Sequence, residues 1–378
     1  MSNWFFAVLC CGILAGNAVA APSGIPGPPQ IPGTAHILID YDSGDVLAAF
    51  NADQLVEPAS LTKIMTVYVI ATELAKGAIK LDEQIPISEK AWRTGGSKMF
   101  IEVGKKVSVL DLLHGLIIQS GNDAGVALAE HVSGDETVFA ALMNQQAARL
   151  GLTHTHFVNS TGLPDPEMHT TARDVAKLGA ALIRDFPEIY GWFSARDFVF
   201  NGIKQDNRNM LLEIDPSVDG IKTGHTEAAG YCLAASAKRD DMRLIAVVMG
   251  TDSTRTRASA TQALLNYGFR FYESHKVYDA GAVIETARVW QGSAKTVALG
   301  VAEPLQLLVP RGRYKDLQAN VAIKTPLIAP IAAGSEQGTL RISLDGAELK
   351  SVPLRALAEV PEAGLFGRLY DKLLLLFE

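Results

Sequence analysis

The 378-residue chain exceeds the roughly 250–300 residues at which a single hydrophobic core stops growing, so more than one domain is expected. Its 48% apolar and 20% charged residues supply a substantial core and exclude global disorder. A net charge of −7 without any long Lys/Arg run excludes a nucleic-acid partner, which needs a basic face. The charge is unevenly placed: residues 273–378 hold twelve acids and twelve bases, so the whole excess lies upstream.

Residues 1–20 carry no charged side chain. An apolar run, Trp4–Leu14, precedes the small-residue segment Gly16–Ala20, which predicts a secretory signal cleaved after Ala20. The run is too short for a permanent span of about 20 residues, and only the α-amino group supplies the usual positive charge. Cys10 and Cys11 leave with such a signal, so Cys232 has no partner for an internal disulfide. Cys232 sits in the apolar run Tyr231–Ala237 and reads as a small core residue. Residues 21–34 follow, rich in Pro and Gly, and read as a tether.

The folded part is expected to begin near Ala35. Two short apolar runs, His36–Asp40 and Val46–Phe50, flank Asp42-Ser43-Gly44-Asp45 and predict a hairpin. A helical pattern runs from Pro58-Ala59-Ser60 to about Lys76, where Gly77 is a stop signal. Further helices are predicted at Ser108–Ile117, Asp123–His131, Glu136–Leu150, Thr171–Asp185 and Ser259–Ser274, and strands at Tyr231–Ala237 and Leu244–Gly250. Strands at both ends with helices between predict an α+β domain over 35–274, its antiparallel sheet completed by distant segments. Residues 275–362, with short β-prone runs between Gly and Pro breaks, read as a small all-β domain. Residues 363–378 form a helical pattern with Leu365, Phe366, Leu369, Tyr370, Leu373, Leu374, Leu376 and Phe377 on one face. Such a helix is too short to cross a bilayer but can lie in its interface.

The chemistry concentrates in three segments. In Ser60-Leu61-Thr62-Lys63, i and i+3 share a helix face, so Lys63 Nζ can reach Ser60 Oγ and, when neutral, accept its proton. Ser120-Gly121-Asn122 reads as a tight turn that aims a hydroxyl and an amide into a cleft. Lys222-Thr223-Gly224 precedes a predicted strand and offers an edge for an extended substrate, Gly224 leaving room for close approach. Each segment alone is weak; their order and spacing make the set specific. His154 and His156 alternate without a third metal ligand in reach and read as surface residues, so no metal and no cofactor is expected. His169 reads as structural, and Thr94–Met99, a Gly/Ser-containing loop before the second motif, as either a gate of the cleft or an ordinary loop.

The set resembles the motifs of penicilloyl serine transferases, the penicillin-binding proteins and serine β-lactamases. Pro58–Thr66, Gln119–Ala124 and Asp219–Thr226 are similar in wording to low-molecular-weight D-alanyl-D-alanine carboxypeptidases, over about residues 35–375. The resemblance implies a β-lactamase/transpeptidase-like domain with a helical subdomain, then a small β-domain and a membrane-associating amphipathic helix. It further implies an exported enzyme, peripheral on the periplasmic face of the bacterial inner membrane. Its substrate would be peptidoglycan stem peptides ending in D-Ala-D-Ala, and β-lactams would inhibit it.

By the same resemblance, Ser60 is the nucleophile, Lys63 its base, and Ser120 the proton relay to the leaving D-alanine. Asn122 holds substrate and Lys63, Lys222 keeps the site cationic and tunes Ser120, and the amides of Ser60 and His225 form an oxyanion hole. Thr223 and Gly224 bind substrate. Arg257 meets the terminal carboxylate, and Arg208 matches a rim arginine, although its spacing to Lys222 is one residue shorter than in the family. A β-lactamase, and an endopeptidase or transpeptidase, stand as alternatives. Residues 152–168 lack the Glu-x-x-Leu-Asn of class A β-lactamases. A penicillin-binding scaffold without catalysis is the non-enzymatic alternative, opposed by the intact motif residues.

Overall fold

The computed structural model describes residues 25–376, and the signal predicted at 1–20 lies outside them. Its centre is a five-stranded antiparallel sheet in the order Val46–Phe50, Ala35–Asp40, Met242–Thr251, Gly230–Arg239, Val218–Thr226. The N-terminal hairpin pairs with a strand two hundred residues later, Ile37 facing Val247 and Leu38 facing Ala246.

Alternation along these strands divides the interior in two. Ile37, Ile39, Ile245, Val247 and Met249 point into one core with the helices Thr62–Ala75, Asn122–Ser133 and Ala172–Asp185. Leu38, Leu244, Ala246 and Val248 point to the other face, against Leu264 and Leu265 of the helix Thr254–Phe271. A sheet covered on both faces needs apolar residues in both registers, which explains the unbroken apolar run Leu244–Met249. The arrangement is the α+β class expected, helices lying on both faces of the sheet.

Residues 283–356 build a six-stranded sheet with its own core around Leu299, Leu340 and Leu354. A two-stranded ribbon, Tyr272–Tyr278 with Leu305–Pro310, joins the two units. Leu365–Leu374 forms the final helix, leaving Leu365, Phe366, Leu369, Tyr370 and Leu373 exposed, Phe366 at 88%. Phe377 and Glu378 lie outside the described residues.

Several elements differ from the sequence reading. The helix expected over Ser259–Ser274 runs Thr254–Phe271, because Ser253 Oγ caps Thr256 N and strand pairing with Val309 and Leu308 takes the chain from Tyr272 onward. The helix expected over Ser108–Ile117 becomes α-helix only at Val109–His114 and widens into a π-turn over Gly115–Gln119. The Lys222-Thr223-Gly224 motif lies inside a nine-residue strand, and Tyr231–Ala237 belongs to the neighbouring strand. The hairpin Asp197–Phe200 with Ile203–Asp206 was not anticipated. Residues 25–33 contain no helix or strand but do not hang free: Ile25 and Ile31 pack on the second core, and Tyr267 Oη donates to Pro26 O at 3.0 Å.

Candidate active site

The cleft forms where the edge strand Val218–Thr226 meets the start of the helix Thr62–Ala75. Ser60 lies in a 3-10 turn, Ala59–Leu61, leading into that helix. Ala59 has φ 45°, a left-handed conformation that costs a non-glycine residue about 1–3 kcal/mol and that the surrounding packing must hold. Gly224 makes the approach possible: a Cβ there would stand 3.2 Å from both Ser60 N and Ala59 Cβ. The small residue expected to admit a substrate thus also lies tight against the turn that carries Ser60.

Lys63 is buried and its Nζ is surrounded by acceptors. Ser60 Oγ lies at 2.8 Å, Asn122 Oδ1 at 2.7 Å and Thr161 O at 2.7 Å. Burial lowers its pKa to about 7; the Arg208 guanidinium pushes the same way and the Asp123 carboxylate opposes. The two carbonyl oxygens can only accept, so they claim two N–H groups. A neutral amine then has one lone pair left, and it faces Ser60. Helix spacing foretold the Ser60 contact; nothing in the local sequence announced Thr161, whose carbonyl arrives from ninety-eight residues away.

Ser120 has φ 63° and closes the π-turn, and its buried Oγ has no hydrogen-bond partner among the described residues. It lines the cleft together with Ser60 and Asn122. Lys222 is buried in the edge strand, its Nζ donating to Thr223 O at 3.3 Å. Burial, then the charges of Lys63, Arg208 and Arg257, hold the Lys222 ammonium well below the usual lysine range. Lys222 makes no hydrogen bond to Ser120, the contact through which it would tune that hydroxyl.

Arg257, buried on the Thr254–Phe271 helix, donates from Nη1 to Gly224 O at 3.1 Å and lies over the Tyr231 ring. Its Nη2 meets Arg208 O at 3.5 Å, which brings the two arginines to one end of the cleft. The shorter spacing from Arg208 to Lys222 therefore does not displace Arg208 from the site. Thr223, Gly224 and His225 line the same wall, the His225 ring lying 4.0 Å from that of Tyr231. The cavity is about 740 Å³, and no Asp or Glu is among its lining residues. The acidic excess of the sequence upstream of residue 273 is thus absent from the cleft, whose lining carries Arg208 and Arg257.

The remaining candidates lie elsewhere. His154 and His156 are exposed, and the His156 ring stacks on His169 at 6.0 Å, away from the cleft lining. Among the described residues no three His, Cys, Asp or Glu side chains gather as a metal site. Cys232 is buried on the strand behind Gly224, and burial pushes its thiol up to about 11, a core residue as expected. The 94–99 loop is fastened to the site: Asn122 donates from N to Ser97 O and from Nδ2 to Gly95 O, both at 2.7 Å.

A buried lysine bonded to a helix-start serine, beside a cationic sheet edge, is the site of a serine hydrolase that works through an acyl-enzyme. The comparisons with known proteins carry this further. Residues 23–253 match the D-alanyl-D-alanine carboxypeptidase family and residues 272–362 match the penicillin-binding protein 5 C-terminal domain. The chain belongs to the D-alanyl-D-alanine carboxypeptidase family.

It is 44% identical over 373 residues to D-alanyl-D-alanine carboxypeptidase DacC of Escherichia coli (strain K12), covering 97% of this chain and 93% of the relative. It is 43% identical over 361 residues to DacA of the same organism, covering 93% and 90%. Penicillin-binding protein 5 from Haemophilus influenzae shares the fold with a TM-score of 0.87 at 43% identity, covering 89% of this chain and 99% of that one.

Proposed function

We propose that this serine D-alanyl-D-alanine carboxypeptidase removes the terminal D-alanine of peptidoglycan stem pentapeptides through an acyl-enzyme on Ser60. One observation carries the assignment of roles: Lys63 Nζ, with a pKa near 7, stands between Ser60 Oγ and two acceptors that orient it. Neutral Lys63 takes the Ser60 proton as Oγ attacks the penultimate D-Ala carbonyl. The oxyanion that forms meets the backbone amides of Ser60 and His225, donors of a kind worth roughly 3–4 kcal/mol each. As the tetrahedral intermediate collapses, the leaving amine takes a proton relayed by Ser120, whose Oγ has no hydrogen-bond partner among the described residues. The substrate's terminal carboxylate lies against Arg257 and Arg208 and the Thr223 side of the edge strand. Water then hydrolyses the acyl-enzyme.

A β-lactam enters the same sequence and stops at the acyl-enzyme. The cleft lining contains no carboxylate to activate a deacylating water, which favours inhibition over β-lactamase turnover. The protein would be exported to the periplasmic face of the inner membrane, its first twenty residues serving as signal. Residues 363–378 would hold it there by the exposed apolar face of the last helix.

The test is D-alanine release from a peptide ending in D-Ala-D-Ala, together with labelling by a fluorescent penicillin and peptide mapping. Release and label on the Ser60 peptide are expected, both abolished in Ser60→Ala and unaffected by EDTA. A Ser60→Ala protein that still takes the label removes Ser60 as nucleophile; absence of both release and label in the native protein removes the activity.

A further inference from the structure

Asn122 can serve Lys63 only in one orientation. An amide presents an acceptor on one side and donors on the other, and a flip would set NH2 against the Lys63 donors. Gly95 O decides the matter: it can only accept, takes Nδ2 at 2.7 Å, and so leaves Oδ1 for Lys63 Nζ. The catalytic geometry therefore depends on where the 95–101 segment lies.

That segment is not held by helix or strand of its own. Phe100 has φ 70°, an unfavourable backbone for an aromatic residue, so its conformation must be imposed by neighbours. Two buried side chains impose it. Asp123, fully buried at the start of the Asn122–Ser133 helix, accepts from Met99 N and Ala124 N on Oδ1, each at 3.0 Å. Its Oδ2 accepts from Phe100 N at 3.0 Å and Ile101 N at 3.3 Å. Gln205, buried in the Ile203–Asp206 strand, donates from Nε2 to Met99 O at 3.0 Å. The two bind the peptide groups on either side of Met99, one by its N–H and the other by its carbonyl.

We propose that Asp123 and Gln205 are positioning residues for the acyl transfer, clamping the 95–101 segment so that Gly95 O fixes the Asn122 amide on Lys63. The inference rests on the proposed role of Lys63. Asp123 has a second effect that Gln205 lacks: it is the anion near Lys63, whose other charged neighbours are Arg208 on the cleft rim and Lys222 on the edge strand. Removing it disfavours the ammonium form, whereas removing the Gln205 amide leaves the charges unchanged.

The experiment compares full-length native protein, Gln205→Ala and Asp123→Asn. The second-order rate of acylation by a fluorescent penicillin is followed from pH 5 to 9, with a melting curve for each protein. Displacing a reacting group by about 1 Å costs about a hundredfold, so slowing of tenfold to a hundredfold is expected in both variants. The acid limb of the profile should move to lower pH in Asp123→Asn and stay in place in Gln205→Ala. A folded Gln205→Ala that acylates within twofold of native overturns the clamp, and this arm decides alone where Asp123→Asn does not fold. A folded Asp123→Asn with native rate and native acid limb overturns the share given to Asp123. Failure of the native protein to label is a different result: it refutes the acyl-enzyme reading, and the inference with it.

Discussion

Lys63 Nζ stands 2.8 Å from Ser60 Oγ, with its other two contacts, Asn122 Oδ1 and Thr161 O, both pure acceptors. That asymmetry suits the role of base proposed for Lys63: two N–H groups are spoken for and the remaining position faces the hydroxyl. Burial, reinforced by the Arg208 guanidinium and only partly opposed by the Asp123 carboxylate, then brings its pKa to about 7.

Acylation is accordingly expected to rise with pH through about 7 as Lys63 loses its proton, and Arg208→Ala should move that limb upward by removing a neighbouring cation. Stability follows with a definite sign. Between about 7 and 10.5 the unfolded chain holds a proton on this lysine that the folded chain lacks, so this group makes folding more favourable as pH rises across that window. Penicillin acylation rates and denaturant midpoints from pH 6 to 10 check both. Lys63→Met, which keeps the bulk without the titration, should flatten its share of the stability profile.

Arg257 should act on substrate binding. A charge-assisted hydrogen bond to a carboxylate is worth roughly 1.5–3 kcal/mol, so Arg257→Ala is expected to raise KM for a D-Ala-terminated peptide about tenfold to a hundredfold. Lysine lacks the planar fork that reaches Gly224 O and a carboxylate together, so Arg257→Lys should recover only part of the loss. An amidated peptide terminus should be nearly indifferent to either change; equal losses on both peptides would argue against carboxylate recognition.

Gly162 is a packing requirement of the site. It has φ 81°, and a Cβ there would come within 1.8 Å of Ala59 O, the carbonyl preceding the nucleophile. Gly162→Ala combines backbone strain with a collision that only a shift of the nucleophile turn relieves. A loss of about 2–4 kcal/mol in stability is expected, with slower acylation in whatever protein folds. Chemical denaturation alongside penicillin labelling measures both effects.

The proposed anchoring by the last helix can be separated from catalysis. Its apolar side chains are exposed while Asp371 Oδ2 accepts from Gln291 N at 2.6 Å, mounting the helix on the small β-domain by its polar side. Deleting 364–378 should shift the protein from sedimenting membranes to the soluble fraction and leave penicillin acylation unchanged. A distribution that does not move would refute the anchor.

The parts of this protein legible in its sequence are those governed by neighbours along the chain. The i, i+3 spacing of Ser60 and Lys63 puts both on one helical face, short apolar runs mark four of the five strands of the central sheet, helical patterns mark the long helices, and Gly224 marks a close approach. What only the tertiary structure decided depends on segments far apart meeting. These are the Thr161 carbonyl on Lys63, Arg208 beside Arg257, Lys-Thr-Gly inside an edge strand, and Met99 gripped between Asp123 and Gln205. A lysine pKa near 7 belongs to the same group, because desolvation is a property of everything packed around the side chain and of no residue adjacent to it. The opening −7 divides along the same line: composition supplies the charge, but the fold keeps Asp and Glu out of the cleft lining and brings Lys63, Lys222, Arg208 and Arg257 close to one another there.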